Sequence, residues 1–193
     1  MTKLFLGSNT RPNSFSAVLR IVGCVSVTKS EATNSYEVNA VHDNPPVFCG
    51  VLPEKELNAG EPYTMTVELM NVIGSGRVNY GHPAVMYNVI DQNNFDFVFF
   101  RLHNRNCYQL GYVLNGNVFT TVTASCPNGN PSGGVWFTLR VEVSSDGSVN
   151  IYLNNDLMTS PTAHFNAKGR GGVLVLNGYE NIIQFRKIHL NRH

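Results

Sequence analysis

From Tyr63 onward, apolar and polar residues alternate with a period of two. Residues 63–70 read Tyr-Thr-Met-Thr-Val-Glu-Leu-Met, the pattern of a half-buried strand. A turn at Gly74-Ser75-Gly76 leads to a second strand over 84–90, which ends at Asp91-Gln92-Asn93-Asn94. Residues 95–103 form a strongly apolar, aromatic run closed by Asn104-Arg105-Asn106. Strands over 107–114 and 118–124 flank Asn115-Gly116-Asn117, and an Asn-Gly pair between apolar runs is the strongest short hairpin signal. Residues 127–134, rich in Pro, Gly and Asn, read only as loop. Strands follow over 135–143 and 148–153, joined at Asp146-Gly147, and Asn154-Asn155-Asp156 turns the chain again. Strands over 173–176 and 182–190 close it.

Residues 1–60 are less regular. Short strands are predicted over 36–41 and 47–51. Pro45-Pro46 separates them and cannot sit in a central strand. Helical periodicity is weak, with at most one turn near 54–58. About a dozen closely spaced strands joined by polar turns predict an all-β sandwich or barrel. One β-sandwich domain over residues 1–193 is expected, with 1–60 completing the sheets or covering one face.

Composition narrows the function. Only 14% of residues are charged and 42% are hydrophobic. That charge fraction is well below the roughly 25% of an average domain, and it suits strands whose outer faces carry Thr, Ser and Asn. The net charge is +1 and the basic residues are scattered, so nucleic acid is not an expected partner. No apolar run reaches the length of a spanning helix, and membrane insertion is not expected. Met1 to Thr10 is too short an apolar segment for a secretory signal.

Four cysteines, Cys24, Cys49, Cys107 and Cys126, contain no Cys-x-x-Cys pair, so zinc and thioredoxin chemistry are unsupported. Sequence-local disulfides, Cys24 with Cys49 and Cys107 with Cys126, are the preferred arrangement. Buried free thiols are the alternative. No Asn-x-Ser/Thr glycosylation site with a permitted middle residue occurs.

The order of strands and turns between 84 and 190 carries a resemblance. A strand ends at Asp91-Gln92-Asn93-Asn94-Phe95, and an aromatic strand ends at Arg101-Leu102. A Trp136-led strand, the Asp146-Gly147 turn and a strand ending in Asn154 follow. This resembles the concanavalin A-like lectin and glucanase jelly rolls, in particular laminin-G-like domains. The resemblance implies an antiparallel two-sheet jelly-roll sandwich and is one of pattern, without a catalytic signature. The polar turn Asn154-Asn155-Asp156 replaces the usual Asp-Gly, and the galectin sugar motif is absent.

Catalytic chemistry finds little support. Glycosidases place two carboxylates about the scissile bond, and the Glu-x-Asp-x-Glu run of the fold's glucanases does not occur. Glu68 and Glu142 are solitary acids within strands. Each could face a sheet and act on a sugar, although an ordinary outward-facing acid is the simpler reading. Gly74-Ser75-Gly76 is not a nucleophile elbow. His42-Asp43 and the His189/His193 pair read as surface features. No catalytic residue is assigned.

A sugar face is the sharper expectation. If the strands over 84–90, 95–103 and 107–114 are neighbours, one sheet face collects Asn88, Phe99, Arg101, His103 and Gln109. Aromatic rings with amide and guanidinium donors suit sugars, but a one-residue slip would flip every side chain. Family members often bind calcium through rim loops, which makes Asp91, Asn93 and Asp156 candidate ligands and calcium a candidate cofactor. Each turn holds a single carboxylate, and turns favour Asn and Asp for backbone reasons alone.

The function expected is therefore a non-catalytic, lectin-like or adhesion module whose partner is a glycan or glycoprotein. A glycan-active hydrolase and a protein-binding or self-assembling module are the alternatives. Edge strands make a homo-oligomer a further expectation. The cysteines and the resemblance lean toward an extracellular or cell-surface location.

Overall fold

The computed structural model describes residues 3–5, 18–22, 25–30, 32, 34–40, 48–53, 61–72, 82–91, 93–100, 106–165, 172–176 and 182–193. These form fifteen strands: β1 (Lys3–Phe5), β2 (Val18–Val22), β3 (Val25–Ser30), β4 (Ser35–Ala40), β5 (Phe48–Pro53), β6 (Tyr63–Asn71), β7 (His82–Asp91), β8 (Asn94–Phe100), β9 (Tyr108–Leu114), β10 (Asn117–Ala124), β11 (Phe137–Val143), β12 (Val149–Leu153), β13 (Asp156–Thr159), β14 (Gly172–Leu176) and β15 (Ile182–Arg192). All pairings are antiparallel. The eight-stranded sheet runs β1-β2-β5-β14-β7-β8-β9-β10 and the seven-stranded sheet β13-β12-β11-β6-β15-β4-β3. No helix among the described residues is long and apolar enough to cross a membrane.

Period-two alternation builds the core between the sheets. Phe137, Leu139, Val141 and Val143 on β11, and Tyr63, Met65, Val67 and Leu69 on β6, are buried together. From the opposite sheet, Val85, Tyr87, Val98, Phe100, Tyr108 and Leu110 join them. Phe100 meets Phe137 edge-on at 5.3 Å. The C-terminal end of β8 therefore lies over the N-terminal end of β11.

β8 is buried on both faces. Phe95, Phe97 and Phe99 point away from the core and pack with Ala84, Met86, Val89 and Val113 in a second apolar cluster. The aromatic run thus reads as nearly continuous because both of its sides are covered.

Residues 1–60 supply five strands distributed over both sheets; β4 and β5 lie at the short strands expected over 36–41 and 47–51, and β1, β2 and β3 are additional. Asp156, expected to lie in the turn itself, starts β13, because Asn154 and Asn155 (φ 50° and 74°) reverse the chain and return it along β12. The helical turn near 54–58 lies outside the described residues. Asn115 and Gly116 (φ 52° and 78°) form the predicted β9–β10 hairpin, since two left-handed residues match the strand twist. Cys107 and Cys126 are disulfide-bonded; Cys24 lies outside the described residues.

Candidate functional site

The expected sugar face divides. Phe99 and Gln109 are directly paired across β8 and β9, but they are only 6% and 8% exposed. The Gln109 amide donates to the Thr123 hydroxyl at 3.0 Å. Both belong to a covered face, not an open platform. Arg101 and His103 lie outside the described residues.

Asn88 does not share that face, contrary to the alternation that grouped it with Met86 and Ile90. The β7–β8 register shifts between Tyr87 and Asp91, and Asn88 takes φ 49°. A bulge of this kind re-aims the side chain. The Asn88 amide donates to Asp96 Oδ2 at 3.0 Å, and its backbone N–H donates to the Tyr63 hydroxyl at 3.2 Å. Asp96 alternates with Phe95 and Phe97 and so faces the other side of the sheet.

The candidate calcium ligands do not converge. Asp91 and Asn93 sit at the β7–β8 turn, where the Asp91 carboxylate accepts the Asn93 backbone N–H at 2.7 Å and the Asn94 amide at 2.9 Å. Asp156 lies at the far end of the sandwich, beside the N-terminal end of β11, and its carboxylate accepts from the Asn128 amide. No group of three or more His, Cys, Asp or Glu able to hold a metal occurs among the described residues.

Among the described residues, an array of polar and aromatic groups lies on the outer face of the seven-stranded sheet. The strands that bury Leu139 and Val67 turn Thr138, Arg140, Glu142, Thr66 and Glu68 outward. Register aligns these groups in rows. Thr138, Glu68 and Arg186 form one, and Tyr152, Arg140, Thr66 and His189 the next. Asn150, Glu142, Thr64 and Asn191 form a third.

Two arginines in this array are held against aromatic rings. The Arg140 guanidinium lies 4.0 Å from the Tyr152 ring centre, and that of Arg186 lies 4.0 Å from the Trp136 ring. Such cation–π packing restricts their rotamers before any ligand arrives. Glu68 accepts from Arg186 Nε at 2.5 Å and Lys187 Nζ at 2.7 Å. Burial alone would raise its carboxyl, but the bonds and charges of Lys187 and Arg186 outweigh this and hold it below the ordinary range.

The second arginine is less fully engaged. Arg140 Nε is itself buried, 3.5 Å from Glu142 Oε1 and without a hydrogen bond. Tyr152 is hydrogen-bonded to Glu142, which pushes its phenol up, with burial adding to the effect. Next to it, the Ser160 hydroxyl donates to Asn150 Oδ1 at 2.6 Å. Donors and acceptors therefore stand side by side, a few ångströms apart, as vicinal hydroxyls require.

Of these residues, the sequence pattern singles out Glu68 and Glu142 as solitary strand acids and His189 as part of a surface pair. It does not assign Trp136, Arg140, Tyr152 or Arg186 to a site, although the alternation of Trp136, Thr138, Arg140 and Glu142 places those four on one face. Glu68 is paired opposite Thr138, so four strand residues separate it from Glu142, roughly 14 Å at strand rise. Glycosidase carboxylates stand about 5–10 Å apart, so this pair lacks that geometry.

No family model matches the chain. Among solved structures, it is similar to the carbohydrate-binding module CBM66 from Bacillus subtilis, at 16% identity and TM-score 0.64, over 90% of this chain and 94% of that one. It is also similar to the Emp47p carbohydrate recognition domain, at 14% identity and TM-score 0.58, over 95% and 91%. A sialidase matches at 8% identity and TM-score 0.55, over 90% of this chain but 17% of that enzyme. These likenesses show the fold, an antiparallel jelly-roll sandwich of the concanavalin A-like kind.

Proposed function

We propose that the chain is a non-catalytic carbohydrate-binding domain, lectin-like, whose glycan ligand lies across the outer face of the seven-stranded sheet. The observation that carries this is the Arg140–Glu142–Tyr152 group, its guanidinium packed on the Tyr152 ring and paired with Glu142, beside the row that holds Glu68 and Arg186. Alternating guanidinium donors and carboxylate acceptors read hydroxyl pairs. The interleaved salt bridges leave the face near neutrality, which favours a neutral sugar over a polyanion. The similarity to carbohydrate-binding domains supports the same reading. The Cys107–Cys126 disulfide supports an oxidising, secreted or cell-surface setting.

A glycan array tests this with the wild-type chain and with Arg140→Ala. We expect saturable binding to a related set of glycans. Losing hydrogen bonds to a charged group costs about 1.5–3 kcal/mol, so Arg140→Ala weakens binding roughly tenfold to a hundredfold. A silent array, or unchanged binding by the variant, would overturn the assignment to this face. Repeating the array with a chelator tests calcium. Loss of binding there would direct attention to the Asp91 and Asp156 turns.

A further inference from the structure

A second feature lies at one end of the sandwich, just beyond the row of Asn150 and Glu142. Here a cleft of about 460 Å³ opens between the β11–β12 turn, with Asp146 and Ser148, and the segment carrying Pro161, His164 and Phe165. That volume falls within the usual range for small-ligand sites, about 300–1,000 Å³.

The segment is locked in place. The backbone N–H groups of His164 and Phe165 both donate to the Asp96 carboxylate, each at 3.3 Å. Asn88 donates to the same carboxylate from the β7 bulge. With its backbone held, the His164 ring lies flat on Tyr112, 3.6 Å between centres and 2° between planes. Phe119 stacks with Tyr112 at 5.0 Å, and Phe165 meets the His164 ring edge-on at 4.8 Å. The aromatic wall is therefore preorganised by a buried acid that itself stays out of the cleft.

The opposite wall is polar. Asp146 is fully exposed, and bonds from the backbone and the hydroxyl of Ser148 hold its carboxyl below the ordinary range. One of its oxygens accepts the Ser148 N–H at 2.9 Å. A carboxylate has about four acceptor positions, so it retains capacity toward a ligand. An anionic ligand would be repelled here. A ring with an apolar face and a hydroxyl rim fits both walls.

We infer that this cleft is a second binding site, taking a single neutral sugar ring against His164 and Phe165 with its hydroxyls on Asp146 and Ser148. The inference rests on the carbohydrate-binding reading for its ligand class, but not on the sheet face for its geometry. It implies that the chain can engage a glycan at two separate places.

Amide chemical shifts, followed by NMR during titration with methyl glycosides of neutral hexoses, N-acetylhexosamines and fructose, test the inference. The expected result is saturable shifts at Gly147, Ser148, Thr162 and His164 with at least one glycoside. His164→Ala and Asp146→Asn should each weaken that event by about tenfold while leaving shifts at Glu142 and Tyr152 unchanged. His164→Ala keeps the backbone N–H that binds Asp96, and circular dichroism checks that both variants fold. Shifts at Glu142 and Tyr152 alone would overturn the cleft and leave the sheet-face function standing. Shifts in the cleft alone would support the cleft and overturn the sheet face. No saturable shift with any glycoside would overturn the cleft, and the array then decides the sheet face.

Discussion

Gly111 shows how tightly single positions are specified. A Cβ placed there would overlap the Phe119 carbonyl oxygen and come 2.6 Å from the Phe97 ring. The β9–β10 ladder carries that carbonyl, so relief requires the backbone itself to move. Gly111→Ala should destabilise the chain by about 1–3 kcal/mol, the usual cost of overpacking. A lower urea midpoint with an unchanged slope checks this, and an unaltered midpoint would show that the edge strand yields freely. The sequence marks Gly111 only as a residue opposite the core; the demand for glycine comes from the Phe119 carbonyl and, fourteen positions away, the Phe97 ring. Asn88 was opaque for a related reason. Alternation assigned it to the Phe99 face, and only the long-range partners Tyr63 and Asp96 reveal that a bulge turns it through the sheet.

At the scale of elements, local chemistry carried most of the information. The β9–β10 hairpin was legible because Asn115-Gly116 encodes its turn, and β11 and β12 because their alternation is unbroken. β13 was hidden, since Asn154-Asn155 reads equally as a terminal turn and four residues are too few to show a period. In the first 60 residues, local pattern announces β4 and β5 but not β1, β2 and β3. The disulfide also belongs to this scale. Cys107 opens the approach to β9 and Cys126 lies just past β10, nineteen residues on, so the bond closes the hairpin at its open end. Replacing both by serine should cost about 2–4 kcal/mol. The hairpin carrying Tyr112 and Phe119 should loosen first. Hydrogen exchange provides the check, with faster exchange expected in β9 and β10 than in β6 and β11; uniform acceleration would instead indicate that the bond constrains only the unfolded chain.

Across the whole molecule, two acids oppose each other in their response to pH. Burial raises the Asp96 carboxyl above its ordinary value, against the bonds from Asn88, Phe165 and His164. A group raised on folding contributes stability below its unfolded pKa and loses it as pH rises through the folded value. Glu68 behaves in the opposite sense. Its folded pKa is depressed, so its contribution is present above the unfolded value and disappears as pH falls through the folded one. Acidification from neutrality should therefore first strengthen the fold, as Asp96 takes up its proton, and then weaken it once Glu68 does. Stability should pass through a maximum on acidification. Urea midpoints measured over that acidification test the argument: Asp96→Asn should remove the initial rise while leaving the later fall, and Glu68→Gln should blunt the fall. A wild-type midpoint that decreases steadily on acidification would mean that the bonds to Asp96 outweigh its burial. The segment bearing His164 would then be released by acid, and any sugar binding in the cleft should weaken over the same interval.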